Sequence, residues 1–165
     1  MITQLFKKKK DLNFERTYEA PVEAVWQAWT QAEQLREWWG PENTTIVECE
    51  IDPRVGGQIR VVMEAGEGMG KYAGTRWPLA GTISHIEENA RLTYDARSWT
   101  EGKEETTTIH HVNDLTLTEE GGVTVLKLNI SITSIGSEAK MAAFGMKWGY
   151  KQQLDTLAEF LSKGI

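Results

Sequence analysis

Between Thr44 and Thr133 the apolar residues recur at every second position, and in the stretches that adjoin that span on either side, from Val22 and from Met141, they recur with the period of a helix. No other feature limits the fold as much. A period of two makes strands with one buried face. The connections inside the span include Asp52-Pro53-Arg54-Val55-Gly56-Gly57 and Gly121-Gly122, both turn sequences and the second a hairpin signal. Strands joined so tightly run antiparallel, because parallel neighbours need long crossovers. One face of such a sheet has to be covered, and the helical stretches at the two ends are the available cover.

Six strands are expected in the span, over residues 44–52, 58–65, 76–86, 91–99, 107–118 and 123–133. A further strand over residues 12–19 precedes the helices and places Phe14, Arg16 and Tyr18 on one face. In the strand from Thr44, the residues Thr45, Val47, Cys49 and Ile51 are expected on the apolar face. Cys49, the single cysteine, is then a small core hydrophobe rather than a nucleophile, and no internal disulfide can form. Residues 66–70 hold three glycines and are expected as a mobile connection, and residues 101–105 as a polar turn.

After the first strand, Val22, Val25, Trp26 and Trp29 follow the i, i+3, i+4, i+7 spacing of a buried helical stripe, with Pro21 at the first helical position and Glu23 in the first turn. A second short helix over residues 31–39 is ended by Gly40-Pro41. The last helix is expected from Ser137, a plausible cap, to about residue 163, a length of roughly 40 Å at 1.5 Å per residue. Tyr150, Leu154, Leu157, Ala158 and Leu161 form its apolar stripe, which Met141, Phe144 and Trp148 are expected to continue. Gly145 and Gly149 interrupt it, each at a cost of roughly 1 kcal/mol relative to alanine. Two readings of the pair stand. Either the helix approaches its neighbours closely there, or small residues beside bulky ones leave a void that a ligand can enter.

Four stretches also carry a family resemblance. Trp148 to Leu161, WGYKQQLDTLAEFL, resembles the glycine–tryptophan–x–x–x–leucine ending of the START-like (SRPBCC, birch-pollen-allergen-like) superfamily. Within it, the resemblance is to the family named for the activator of heat-shock protein 90 ATPase homologue, C-terminal domain. Arg16 to Trp29, RTYEAPVEAVWQAW, is similar to that family's opening strand and helix. Trp38-Trp39-Gly40-Pro41 is similar to its WWGP element, and Asp52 to Gly57 to its D-x-R-x-G-G turn. Tyr150 stands where the family usually has tryptophan. The resemblance implies an α+β helix-grip fold: a curved antiparallel sheet of about seven strands wrapped around the C-terminal helix, two short helices after the first strand, and a cavity between sheet and helix. One domain over residues 12–165 is expected, with residues 1–11 as a tail in which Lys7 to Lys10 are solvated.

Counting back by twos from Leu117 and Leu115 puts Asn113, His111 and Ile109 on the apolar face, provided no bulge intervenes. His111 and Asn113 are then either a hydrogen-bonded core pair or the polar end of a ligand site. The expected ligand-contacting set is Trp39, Met63, Trp77, Tyr94, His111, Asn113, Phe144 and Trp148. Asp52 and Arg54 are expected to pair structurally across their turn.

The function that follows is the binding of a small hydrophobic molecule. A co-chaperone that stimulates heat-shock protein 90 ATPase is an alternative that rests on the family name alone. Eukaryotic members carry an additional N-terminal domain for which the 165 residues leave no room, which argues against a chaperone partner. A cavity enzyme of cyclase or dehydratase type, with His111 as acid or base, is the other alternative. No catalytic residue is assigned, and the reading leans away from an enzyme. Three histidines and one cysteine match no usual metal-ligand spacing, and no cofactor motif is present. The net charge of −6 argues against nucleic acid, no apolar run approaches a membrane span, and a cytoplasmic protein is expected, with a homodimer left open.

Overall fold

The computed structural model describes residues 10–163. The expected tail lies outside them, apart from its last two residues, which open the first strand. The elements run β1 (Lys10–Tyr18), α1 (Val22–Thr30), α2 (Ala32–Trp38), β2 (Thr44–Ile51), β3 (Gln58–Ala65), a kinked 3-10 segment (Glu67–Tyr72), β4 (Arg76–Glu87), β5 (Arg91–Ser98), α3 (Glu104–Thr107), β6 (Ile109–Glu120), β7 (Val123–Ile135) and α4 (Lys140–Ser162). The residues expected as a mobile connection are mostly the 3-10 segment, and the polar turn before β6 runs into the single turn of α3.

All neighbours in the seven-stranded sheet are antiparallel, in the order β1-β7-β6-β5-β4-β3-β2. Strands β2 to β7 form the expected meander. The two-residue turn Gly121-Gly122, both glycines at positive φ, joins β6 to β7. β1 closes against β7, so α1 and α2 carry the chain from one edge of the sheet to the other.

The sheet curls into a half-barrel around α4, an α+β helix-grip arrangement. Irregularities interrupt the ladder at Ile46/Glu48, Ile83/His85 and His110/His111, where bulges bend a sheet and raise its twist. The first one corrects the expected faces of β2. The extra residue is Val47, so Ile46 joins Cys49 and Ile51 in packing against the core. At the third, the extra residue, Thr133, lies on β7. The count along β6 therefore survives: Ile109, His111, Asn113, Leu115 and Leu117 are all buried.

The second half of α4 lies on the sheet, with Leu154 and Leu157 fully buried and Phe160 nearly so. The Tyr18 hydroxyl donates to the Leu154 carbonyl at 3.0 Å, and Tyr150 stacks on Phe14 at 5.9 Å between centroids. Arg16 pairs with Asp155 at the rim. At the end closed by α1 and α2, Trp29, Trp38 and Trp39 pack at centroid distances of 4.8, 5.8 and 5.6 Å. The Trp38 indole N–H donates to the Ala28 carbonyl at 2.9 Å, which lets that ring be fully buried.

The start of α4 differs from expectation. The helix begins at Lys140 after Ala139, and no side chain caps it. Backbone bonds do the positioning instead: Gly136 N–H donates to the Thr108 carbonyl and Glu138 N–H to the Thr106 carbonyl, both at 2.8 Å.

Candidate functional site

Gly40 follows Trp38 and Trp39 at the end of α2 with φ of 94°. A Cβ there would lie 2.7 Å from the Thr44 hydroxyl and 3.3 Å from the Met63 sulfur, so only glycine lets this loop sit against β2 and β3. The Gly40 N–H donates to Oε1 of Gln153 on α4, at 3.0 Å. Two stretches far apart in sequence, WWGP and WGYKQQL, therefore meet in one buried hydrogen bond.

Next to that bond lies a cavity of about 340 Å³ between the sheet and the first half of α4. Trp39, Met63, Trp77 and Tyr150 supply much of its wall, and Met69 from the 3-10 segment stands at its edge. α4 contributes Ala142, Gly145, Met146, Gly149 and Gln153. A Cβ built on Gly145 or Gly149 would meet no atom within 4 Å. Of the two readings of these glycines, close packing is therefore excluded, and the pair leaves open space. None of the residues lining the cavity carries a charge.

The expected set divides. Trp39, Met63 and Trp77 line the cavity. Tyr94, His111 and Asn113 are fully buried on the inner face of the sheet but do not line it. They belong to the polar core behind Ser98, which does line it. Ser98 Oγ lies 2.9 Å from His111 Nε2, and Asn113 Nδ2 lies 2.9 Å from His111 Nδ1. In this amide orientation Nδ1 is the acceptor, and the ring proton on Nε2 is donated to Ser98. Burial pushes the His111 pKa down to about 4, against smaller upward effects of Asn113 and Asp95, so the ring is neutral near pH 7. Asn113 Oδ1 and the Tyr94 hydroxyl, on residues paired across β5 and β6, have no hydrogen-bond partner among the described residues.

Phe144 and Trp148 are corrected outright. They are 70% and 64% exposed on the outer face of α4, with Met141 at 82%, and they contribute nothing to the cavity wall. Lys151 sits over the Trp148 ring at 4.9 Å. The side of this segment that borders the cavity carries Ala142, Met146 and the two glycines, of which Ala142 and Gly145 are exposed at the cavity's open side, and Ala143 is the residue buried in the core.

Ser98, Trp99, Met146 and Gln153 line the cavity without having been expected there. Gln153 lay within reach of sequence reasoning, being three residues beyond Tyr150 and so on the same helical face. Ser98 carried no such signal, because it becomes part of the wall only where β5 ends.

A wider depression of about 600 Å³ lies between α2, β2 and α4. It is lined by Arg36, Glu37, Glu42, Asp155 and Glu159 and is solvated surface. Among the described residues no group of histidine, cysteine and carboxylate side chains is placed to hold a metal ion, and no helix is long and apolar enough to cross a membrane. The Cys49 thiol is half-buried, and burial pushes its pKa up to about 11, which suits packing rather than reaction. Asp52 and Arg54 pair at 2.7 Å on the surface, as the turn requires.

Solved structures share this architecture. A protein from Rhizobium leguminosarum superposes with a TM-score of 0.73 at 21% identity, covering 94% of this chain and 96% of that one. A protein from Mycobacterium smegmatis gives 0.73 at 19%, covering 92% and 90%. A protein from Nitrosomonas europaea gives 0.71 at 22%, covering 93% and 95%. No curated protein matches the sequence significantly. The profile of the family described as Activator of Hsp90 ATPase homolog 1-like protein matches residues 19–162, a span that holds the WWGP loop, the DPRVGG turn and the glycine-bearing last helix, and the chain belongs to that family.

Proposed function

We propose that the protein binds a small, mostly apolar molecule in the space between the sheet and the first half of α4. The observation that carries this reading is the pair Gly145 and Gly149. Each costs helix stability, and neither has a packing partner that would compensate. Both border a hollow of about 340 Å³ that opens to solvent beside Gly145 and is walled by tryptophan, methionine and tyrosine side chains, a size and lining suited to a small ligand.

The test is thermal unfolding against a library of apolar compounds, with Gly149→Leu as the blocking variant. A compound held at about 100 times its dissociation constant adds about 2.7 kcal/mol, which raises the melting temperature of a chain this size by roughly 5–10 °C. The variant fills the open space above position 149, so it melts no lower than the wild type and loses the shift. A wild-type melting temperature that no compound moves would remove the reading.

A further inference from the structure

The cavity is apolar except at a few points, and their hydrogen bonds differ in how completely they are spent. The Thr44 hydroxyl donates to the Pro41 carbonyl at 2.5 Å. The Thr107 hydroxyl donates to the Lys103 carbonyl at 2.7 Å and accepts the Thr100 N–H at 2.9 Å. The Ser98 Oγ accepts the His111 Nε2–H, and its own proton is a second donor at the wall, on a residue only half-buried. Gln153 is different. It is 3% exposed and lines the cavity, and its Nε2 has no hydrogen-bond partner among the described residues.

The orientation of that amide is settled by its other end. Gly40 offers only an N–H, so the atom 3.0 Å from it must be the oxygen, and the end left over is the NH2 donor. A buried donor without an acceptor is costly, and a ligand oxygen placed against it recovers that cost. The group that supplies the oxygen is neutral. No charged residue lines the cavity, and a carboxylate taken there would be stripped of water with no cation to meet it.

The geometry points to a neutral carbonyl compound as the ligand class, a ketone, ester or amide whose oxygen accepts from Gln153 Nε2 while its apolar body fills the space beside Gly145 and Gly149. This assignment rests on the binding function proposed above and adds the head group to it.

Three phenyl probes of closely matched size separate the two: butyrophenone, butylbenzene and 3-phenylpropanoate, titrated calorimetrically into the wild type and Gln153→Met. A hydrogen bond formed on binding replaces one to water, so its loss is worth about tenfold in affinity. The substitution also removes the acceptor of the Gly40 N–H and so disturbs the wall for every probe. Butyrophenone is expected to lose about tenfold more affinity than butylbenzene, with 3-phenylpropanoate the weakest of the three on the wild type. Equal effects of the substitution on ketone and hydrocarbon, or tightest binding by the carboxylate, would overturn the assignment while leaving the cavity function standing. Failure of all three probes to bind the wild type would remove the cavity function and this assignment with it.

Should the variant fail to fold, the infrared carbonyl stretch of butyrophenone bound to the wild type decides. A lower wavenumber than in alkane solvent marks the hydrogen bond, and the alkane value would refute it.

Discussion

His111 sits where a charge is poorly tolerated. It is fully buried with Ser98 and Asn113 as its hydrogen-bond partners, and burial outweighs Asn113 and Asp95 to bring its pKa from 6.5 to about 4. The unfolded chain therefore binds a proton that the folded chain refuses at pH values between these two. Stability is fully present above about pH 6.5 and is lost as pH falls toward about 4, by about 3 kcal/mol for this group. Urea unfolding of the wild type and His111→Gln at pH 7 and pH 4.5 should show the wild type losing more stability on acidification; identical pH dependence would mean that the imidazole titrates normally. Gly57 makes a different demand. A Cβ there would lie 2.0 Å from the Asp52 carbonyl oxygen, inside the turn that joins β2 to β3. Gly57→Ala should cost at least about 1 kcal/mol in a denaturant melt. The glycines of DPRVGG were visible in sequence, but which one the backbone crowds was not, because the crowding atom belongs to a residue five positions earlier.

At the scale of one element, α4 is two different helices in series. From Tyr150 onward it is a core helix, whereas before Tyr150 it shields a cavity on one side and meets solvent with Met141, Phe144 and Trp148 on the other. Gly145→Ala and Gly149→Ala should each stabilise the protein by about 1 kcal/mol, since the helix gains and the added methyl touches nothing. Destabilisation by either would restore the close-packing reading. Trp148→Gln should change stability by no more than about 0.5 kcal/mol, whereas Trp39→Ala should cost about 3–5 kcal/mol. The misplacement of Phe144 and Trp148 has a plain cause. With 3.6 residues per turn, Trp148 and Tyr150 lie about 160° apart around the helix and cannot share a stripe. Two apolar stripes run along this segment, and periodicity alone does not say which one the sheet covers.

At the scale of the whole molecule, the net charge of −6 sets what the surface attracts. The protein is expected to pass through a heparin column without retention at about 0.15 M salt, where steering by distant charges is largely screened. Retention would point to a concentrated basic surface and reopen a polyanion partner. The sheet is also closed in an instructive way. The first strand pairs with the last, and the two short helices span the whole width between β1 and β2. That arrangement leaves one side of the half-barrel for α4, and only the second half of α4 fills it.

The two periodicities of the apolar residues were enough to determine the seven strands, the three main helices, their order, the antiparallel connections and the inward face of β6, because each depends on backbone geometry repeated within a few residues; the 3-10 segment and α3 carried no such repeat. The four motifs added the family's fold. Tertiary structure alone decided the face of α4 that meets the sheet, the bulge that turns Ile46 inward, and the retreat of His111 and Asn113 behind Ser98. It also decided that Gly145 and Gly149 border empty space and that Gln153 is anchored by Gly40. A cavity is the difference between two surfaces brought together by long-range contacts, and no local pattern in either surface encodes that difference.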